Sequence, residues 1–310
     1  MTSVSARPTI AVAVCTYNRN ELLEILLDAL LDNAAHLGER AAVGVVIVDD
    51  SADGNARKVV ERFEGKFELG IKYCISGRQN ISLARNLAIE TACSLADWTV
   101  MTDDDCEPTP VWLDTLLDMQ QVTGADAVTG PMVRRVPPGS PKWLTEEPFL
   151  EIGVEHPADG AEVSSAATFN SMISSHWLKQ HPEVRFQPDL GVSSGEDVVF
   201  YRTAHAAGLR IRHSEKAFVY ENEPAARATF SYQLRLYFWH GNSSYVTSVR
   251  TGVRPGRMFL HGANSMRKAL LRPIVRLSRG ERPQFRYCLA LTLHAAGKMI
   301  GPLGIRVDHK

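Results

Sequence analysis

The chain has 310 residues, 45% of them hydrophobic and 22% charged, with a formal net charge of -1. That is enough chain for one large α/β domain with an appended segment, and the composition is that of an ordinary folded enzyme rather than a disordered or fibrous protein. A near-zero net charge excludes a global pull toward nucleic acid, but the charge is unevenly placed. From Arg250 to the end, thirteen Lys and Arg face only Glu281 and Asp308, giving +11, so the first 249 residues carry -12.

The five cysteines show no CxxC and no disulfide-like spacing, and read as reduced thiols of a cytoplasmic protein. Met1 to Pro8 lacks an apolar signal core. No run of 18 uncharged apolar residues is present, and Cys288 to Ile305, broken by His294 and Lys298, reads as interfacial or buried.

In chain order, Ile10 to Cys15 is a short Val/Ile-rich run of the kind buried on both faces of a parallel sheet. A helix with Leu22, Leu23, Leu26, Leu27 and Leu30 on one face follows from about Asn20 to Ala34. Val43 to Val48 is a second strand, ending in Asp49-Asp50-Ser51, and Ala56 to Phe63 a second helix. Ile71 to Ile75, a helix from about Ser82 to Leu95, and a strand ending in Asp103-Asp104-Asp105 come next. Thr109-Pro110 predicts a helix start, with Thr as cap and Pro in the first turn, running to about Gln121. Ala125 to Thr129 is a further strand.

This alternation predicts a doubly wound, mostly parallel α/β sheet. Polar clusters follow four successive strands at their carboxyl ends, where open α/β sheets bind ligands. Val136 to Pro141 is a loop dividing a nucleotide half, 1–135, from an acceptor half, 136–249. A basic amphipathic helical tail, 250–310, completes the chain.

The Asp triplet concentrates charge at a buried strand end, which is costly unless a cation shares it. It reads as a metal and diphosphate site, or as a solvated turn, since Asp favours turns as well. Neither GxGxxG nor GxxxxGK[ST] occurs.

Taken together, CTYNR at Cys15–Arg19, VIVDDS at Val46–Ser51, ARN at Ala84–Asn86, DDDCEP at Asp103–Pro108 and GED at Gly195–Asp197 resemble the inverting family 2 glycosyltransferases of the GT-A fold, in order, from about residue 9 to residue 245. The resemblance implies a nucleotide-sugar donor, with a UDP-sugar expected. It also implies a divalent metal, Mn²⁺ or Mg²⁺, and transfer with inversion to a hydroxyl on a glycan, lipid-linked or small-molecule acceptor. Asp103 and Asp105 match the metal-binding positions, with Asp104 facing the donor ribose or sugar. Thr16, Tyr17, Asn18 and Arg19 would hold base and ribose, although Tyr17 is also readable as a core residue. Asp49 or Asp50 would take the imino N–H of uracil, or cap a helix. Arg78 and Arg85 would meet base or diphosphate, with a structural ion pair equally open for Arg85, and Asn170 would touch the donor sugar.

Asp197 is the expected general base, because an inverting displacement needs one base to take the acceptor proton. Glu196 would position the acceptor or support the base. Both carboxylates are also explained by a helix N-terminus. A sugar-phosphate nucleotidyltransferase and a non-catalytic nucleotide-sugar-binding module stay open as alternatives. The tail, basic and apolar from Met266 to Arg286, suggests peripheral contact with the inner face of a membrane, or a helical pair that caps the core and forms a homodimer interface.

Overall fold

The computed structural model describes residues 7–191 and 195–307. The remaining residues, including most of the N-terminal stretch expected to carry no signal core, lie outside that description. The described chain divides into two compact units.

The first unit comprises residues 1–133, 155–192 and 196–221. It opens with β1 (Thr9–Thr16), α1 (Asn20–Leu37), β2 (Ala42–Asp49), α2 (Arg57–Glu61), β3 (Ile71–Ile75), α3 (Ile81–Leu95) and β4 (Trp98–Asp103). It continues with β5 (Cys106–Pro108), α4 (Trp112–Thr123), β6 (Ala127–Thr129) and β7 (Met132–Arg135), which runs two residues past its boundary. After α5 (Lys142–Glu146) of the second unit come β8 (Glu162–Val163), β9 (Ser171–Ser174), α6 (Ser175–Gln180), α7 (Glu196–Ala206), β10 (Ile211–His213) and β11 (Val219–Asn222).

The main sheet has the order β3-β2-β1-β4-β9-β6-β10-β8. The first four strands are parallel, as the βαβ alternation predicts. β9 is inserted antiparallel between β4 and β6, so the sheet is mixed from that point. A second sheet of short strands has the order β5-β11-β7.

The apolar runs are long because both faces of the sheet are covered. Successive side chains point to opposite faces. Ile10, Val12 and Val14 therefore join α1 and α4 in one buried cluster, through Leu23, Leu26, Leu27, Leu30, Leu113 and Leu117. Ala11 and Ala13 face the other way and pack with α3, α6 and α7, through Ala88, Ile89, Trp177 and Phe200. Leu23, Leu26, Leu27 and Leu30 are fully buried, and truncating any one to Ala would cost about 3 kcal/mol.

Helix α4 begins at Trp112 with Val111 in the capping position, two residues beyond the Thr109-Pro110 start expected from sequence. The buried Asn33 of α1 explains the shift. Its Oδ1 accepts the Leu113 amide at 3.0 Å and its Nδ2 donates to the Thr109 carbonyl at 2.9 Å. A side chain from another helix thus does the capping.

The second unit, residues 134–154, 193–195 and 222–310, contains α5, α8 (Phe230–Arg250), α9 (Pro255–Ser278) and α10 (Phe285–Ile300). Its own core is built from Leu144, Phe149, Ile152, Ala228, Tyr237 and Ala290. Phe149 meets Trp143, Phe230, Tyr237 and Tyr287 edge to face at 4.9 to 6.3 Å. Helices α8 and α10 cross at Gly241 and Gly297. A Cβ on Gly297 would lie 2.1 Å from the Phe238 carbonyl oxygen, and one on Gly241 1.9 Å from that of His294. Among the described residues, no helix is long and apolar enough to cross a membrane.

Candidate active site

Strand register sets the site before any side chain is considered. Thr16 of β1 lies beside Asp49 of β2, and Cys15 lies beside Asp103 of β4. Three strands therefore deliver their polar ends to one sheet edge within the first unit.

The Asp triplet is not a bare cluster of like charges. Asp104 is buried, accepts the Thr16 hydroxyl at 2.8 Å and accepts Arg19 Nη1 at 2.9 Å. The same Nη1 reaches Asp105 Oδ2 at 2.9 Å. Burial pushes the Asp104 carboxyl up to about 6, against the opposing pull of Arg19. Asp103 is half-buried and accepts Arg85 Nη2 at 3.0 Å.

Arg85 is the hinge of the site. It lies in the first part of α3, buried, and its other terminal nitrogen donates to Glu196 Oε1. One guanidinium thus joins the end of β4 to the start of α7. A planar fork of five donors suits this double bridge. Two further links hold the chain before α7 against α3. Asn80 caps α3 through the Leu83 amide and donates Nδ2 to the Pro188 carbonyl at 2.9 Å. Asn86 pairs with Phe186 in both directions, at 2.8 and 2.9 Å.

Asp197 follows Glu196 in the first turn of α7. Burial pushes its carboxyl up to about 7, helped by the neighbouring Glu196 and opposed by Arg85. A carboxylate poised there can take a proton near neutral pH.

At the end of β2, the fully buried Asp49 accepts the Ser51 amide at 2.9 Å, the Ser51 hydroxyl at 2.6 Å, the Ala56 amide at 2.9 Å and the Tyr73 hydroxyl at 2.8 Å. Burial first, then this carboxylate, pushes the Tyr73 phenol upward. Asp49 is therefore committed to folding the loop after β2. Among the described residues Asp50 is tied only to the Arg78 amide, through Oδ1 at 3.1 Å, with Oδ2 left for another donor.

Among the described residues, no three His, Cys, Asp or Glu side chains converge on a metal-binding cluster. The donor set is nonetheless all carboxylate oxygen, which suits a hard divalent ion. Magnesium in particular takes one or two carboxylates together with substrate phosphates. Asp103, whose Oδ2 takes no hydrogen bond among the described residues, and Asp105 fit that requirement.

Residues 11–181 match the model of the glycosyl transferase family 2 domain. The chain belongs to glycosyl transferase family 2. This family 2 transferase is 31% identical over 263 residues to the succinoglycan biosynthesis protein ExoM of Rhizobium meliloti, spanning 84% of this chain and 78% of ExoM. It is 25% identical over 253 residues to a glucosyl-dolichyl phosphate glucuronosyltransferase of Haloferax volcanii, covering 77% of each. Its fold is that of S. aureus TarS, solved with UDP-GlcNAc, at a TM-score of 0.54 and 16% identity over 96% of this chain and 92% of that one. The GT-A fold and the glycosyltransferase activity expected from sequence are therefore those of the protein.

Not every expected site residue of the family 2 transferase faces the edge. Tyr17 is 45% exposed and so is no core residue. Asn18 beside it adopts a left-handed backbone, φ 55°, and touches Asn55. The Arg78 side chain is exposed, and Arg19 is occupied with Asp104 and Asp105. Asn170 corrects the expectation of a sugar contact. It is fully buried, with Oδ1 accepting the Trp112 indole N–H at 2.8 Å and Nδ2 donating to the Pro131 and Ala217 carbonyls. It lies where a Cβ on Gly130 would come within 1.9 Å of the Ala217 oxygen, so this is packed scaffold. The structural ion pair left open for Arg85 is the one the fold makes, and it is double, to Asp103 and Glu196; those two partners are what the sequence did not indicate.

Proposed function

We propose that the protein transfers a sugar, with inversion, from a UDP-sugar to a hydroxyl on a glycan or lipid-linked acceptor. The reading rests on one observation: Arg85 grips Asp103 and Glu196 with a single guanidinium, holding the start of α7 against the carboxylates of β4. That is the separation of roles an inverting displacement needs, with leaving-group residues and a base at one sheet edge.

In this account Tyr17 stacks on the uracil and Asp50 Oδ2 accepts its imino N–H. The acceptor oxygen attacks the anomeric carbon in line, its proton passes to Asp197, and the bond from that carbon to the diphosphate oxygen breaks. Glu196 keeps Asp197 basic by its charge. A divalent ion held by Asp103 and Asp105 would supply the Lewis acid that offsets charge on the departing diphosphate. The named activities of ExoM and the Haloferax transferase favour a saccharide acceptor on a polysaccharide precursor or a lipid carrier.

The test is calorimetric titration of UDP, GDP and dTDP, each with and without Mn²⁺, against wild type and Asp103→Ala/Asp105→Ala. Metal-dependent binding of UDP alone, lost in the double variant, supports the reading. Absence of binding by every nucleotide overturns it.

A further inference from the structure

Helix α9 leaves an apolar ridge uncovered. At 3.6 residues per turn, Phe259, Leu260, Leu270, Leu271, Ile274 and Leu277 fall on one face, 42%, 69%, 60%, 45%, 64% and 57% exposed, with the exposed Arg267 on the same face between the two groups. The opposite face carries the buried Met258, Gly262 and Ala269. Large exposed apolar ridges of this kind mark interaction surfaces rather than ordinary surface.

Cations flank the ridge on one side. Lys268, Arg272, Arg276 and Arg279 line a groove of about 610 Å³ whose apolar wall includes Leu271, Val275 and Leu291. Glu281 pairs with Arg276 at 3.0 Å. Lys268, Arg272 and Arg279 have no carboxylate partner among the described residues. Arg272 lies over the Tyr287 ring, 5.2 Å from its centroid, and its Nε is buried without a hydrogen-bond partner.

We infer that α9 docks this protein on an anionic lipid bilayer, with the ridge in the acyl boundary and the groove cations on headgroup phosphates. An apolar face beside a cationic flank is the pattern of a helix lying in the membrane plane. Charge disfavours a second copy as the occupant, because a two-fold interface pairs a patch with itself. It would bring two rows of four cations together with a single carboxylate on each. The inference stands apart from the donor chemistry, so its failure would leave the transferase reading untouched.

The test is flotation of the full chain with vesicles of phosphatidylcholine alone, and with roughly one-third phosphatidylglycerol added. Wild type is expected to float only with the anionic vesicles. Leu270→Asp/Ile274→Asp should lower binding at least tenfold at unchanged Tm, since each buried leucine-sized side chain contributes about that ratio. Lys268→Gln/Arg279→Gln, which leaves the ridge intact, should weaken binding about fivefold per cation. Failure of wild type to float, equal flotation with neutral vesicles, or variants that float like wild type would overturn the inference. So would a dimer in light scattering that Ile274→Asp dissociates without any flotation of the wild type.

Discussion

Replacing Arg85 by Met tests the reasoning about the site most sharply. The Arg85 side chain is 11% exposed, Glu196 9% and Asp103 37%. Burial disfavours the charged guanidinium, but Asp103, Glu196 and Asp197 together override it and hold Arg85 protonated. Methionine fills similar volume and leaves those carboxylates facing one another. Removing one partner of a buried pair costs about 3 to 5 kcal/mol, and the lower end applies because Asp103 retains solvent. A loss of about 3 kcal/mol corresponds to a Tm drop of roughly 5 °C in a chain of this size.

The loss should depend on pH. Asp197, raised from 3.8 to about 7, contributes stability that is present below about pH 4 and is lost as pH rises through about 7. Without Arg85 its carboxyl rises further, so the penalty is largest near pH 8 and shrinks near pH 5. Arg85→Lys keeps one charge but not the fork, and should lose about half as much. Scanning calorimetry of the three proteins at both pH values is the assay. An Arg85→Met protein as stable as wild type at about pH 8, or one whose deficit does not shrink on acidification, would refute the bridge.

Other consequences follow from the same geometry. The rate of UDP release from a UDP-sugar should rise with pH around an apparent pKa near 7, and Glu196→Gln should move that midpoint down because the Glu196 charge helps hold Asp197 up; a midpoint that Glu196→Gln leaves in place would contradict it. Asn170→Ala should cost about 2 kcal/mol by stranding the Trp112 indole N–H and two carbonyls, while leaving UDP affinity unchanged by calorimetry. Asp50→Ala should weaken UDP about tenfold with little change in Tm, whereas Asp49→Ala should lower Tm by several degrees through four lost hydrogen bonds.

Much of the fold was legible because both sheet faces are buried. β1 and β2 are uninterrupted apolar runs and β4 is a buried run broken by Thr99; all three end in polar clusters, and those clusters lie side by side. β9 was not legible. Ser171–Ser174 is four residues long, half of them polar, and it becomes a central strand only because β4 and β6 flank it on either side. The start of α4 was misplaced because its cap comes from Asn33, far away in sequence. Asn170 was misread for a related reason: a single Asn carries no sign of whether a distant Trp112 will claim its oxygen. Asp49 and Asp50 are adjacent and chemically alike, and only burial separates the loop anchor from the one with an oxygen to offer. The tail's amphipathic character was visible, but its division at Arg279–Gln284 into α9 and α10, and the bare ridge, depend on how α10 packs.

The most direct test of the account concerns Asp197. Wild type and Asp197→Asn are incubated with UDP-sugars and Mn²⁺, UDP release is followed, and UDP affinity is measured on the same preparations. Asn cannot take the proton, so release should fall by a factor of at least about a hundred while UDP affinity is kept. Release at the wild-type rate from a folded Asp197→Asn protein would contradict it.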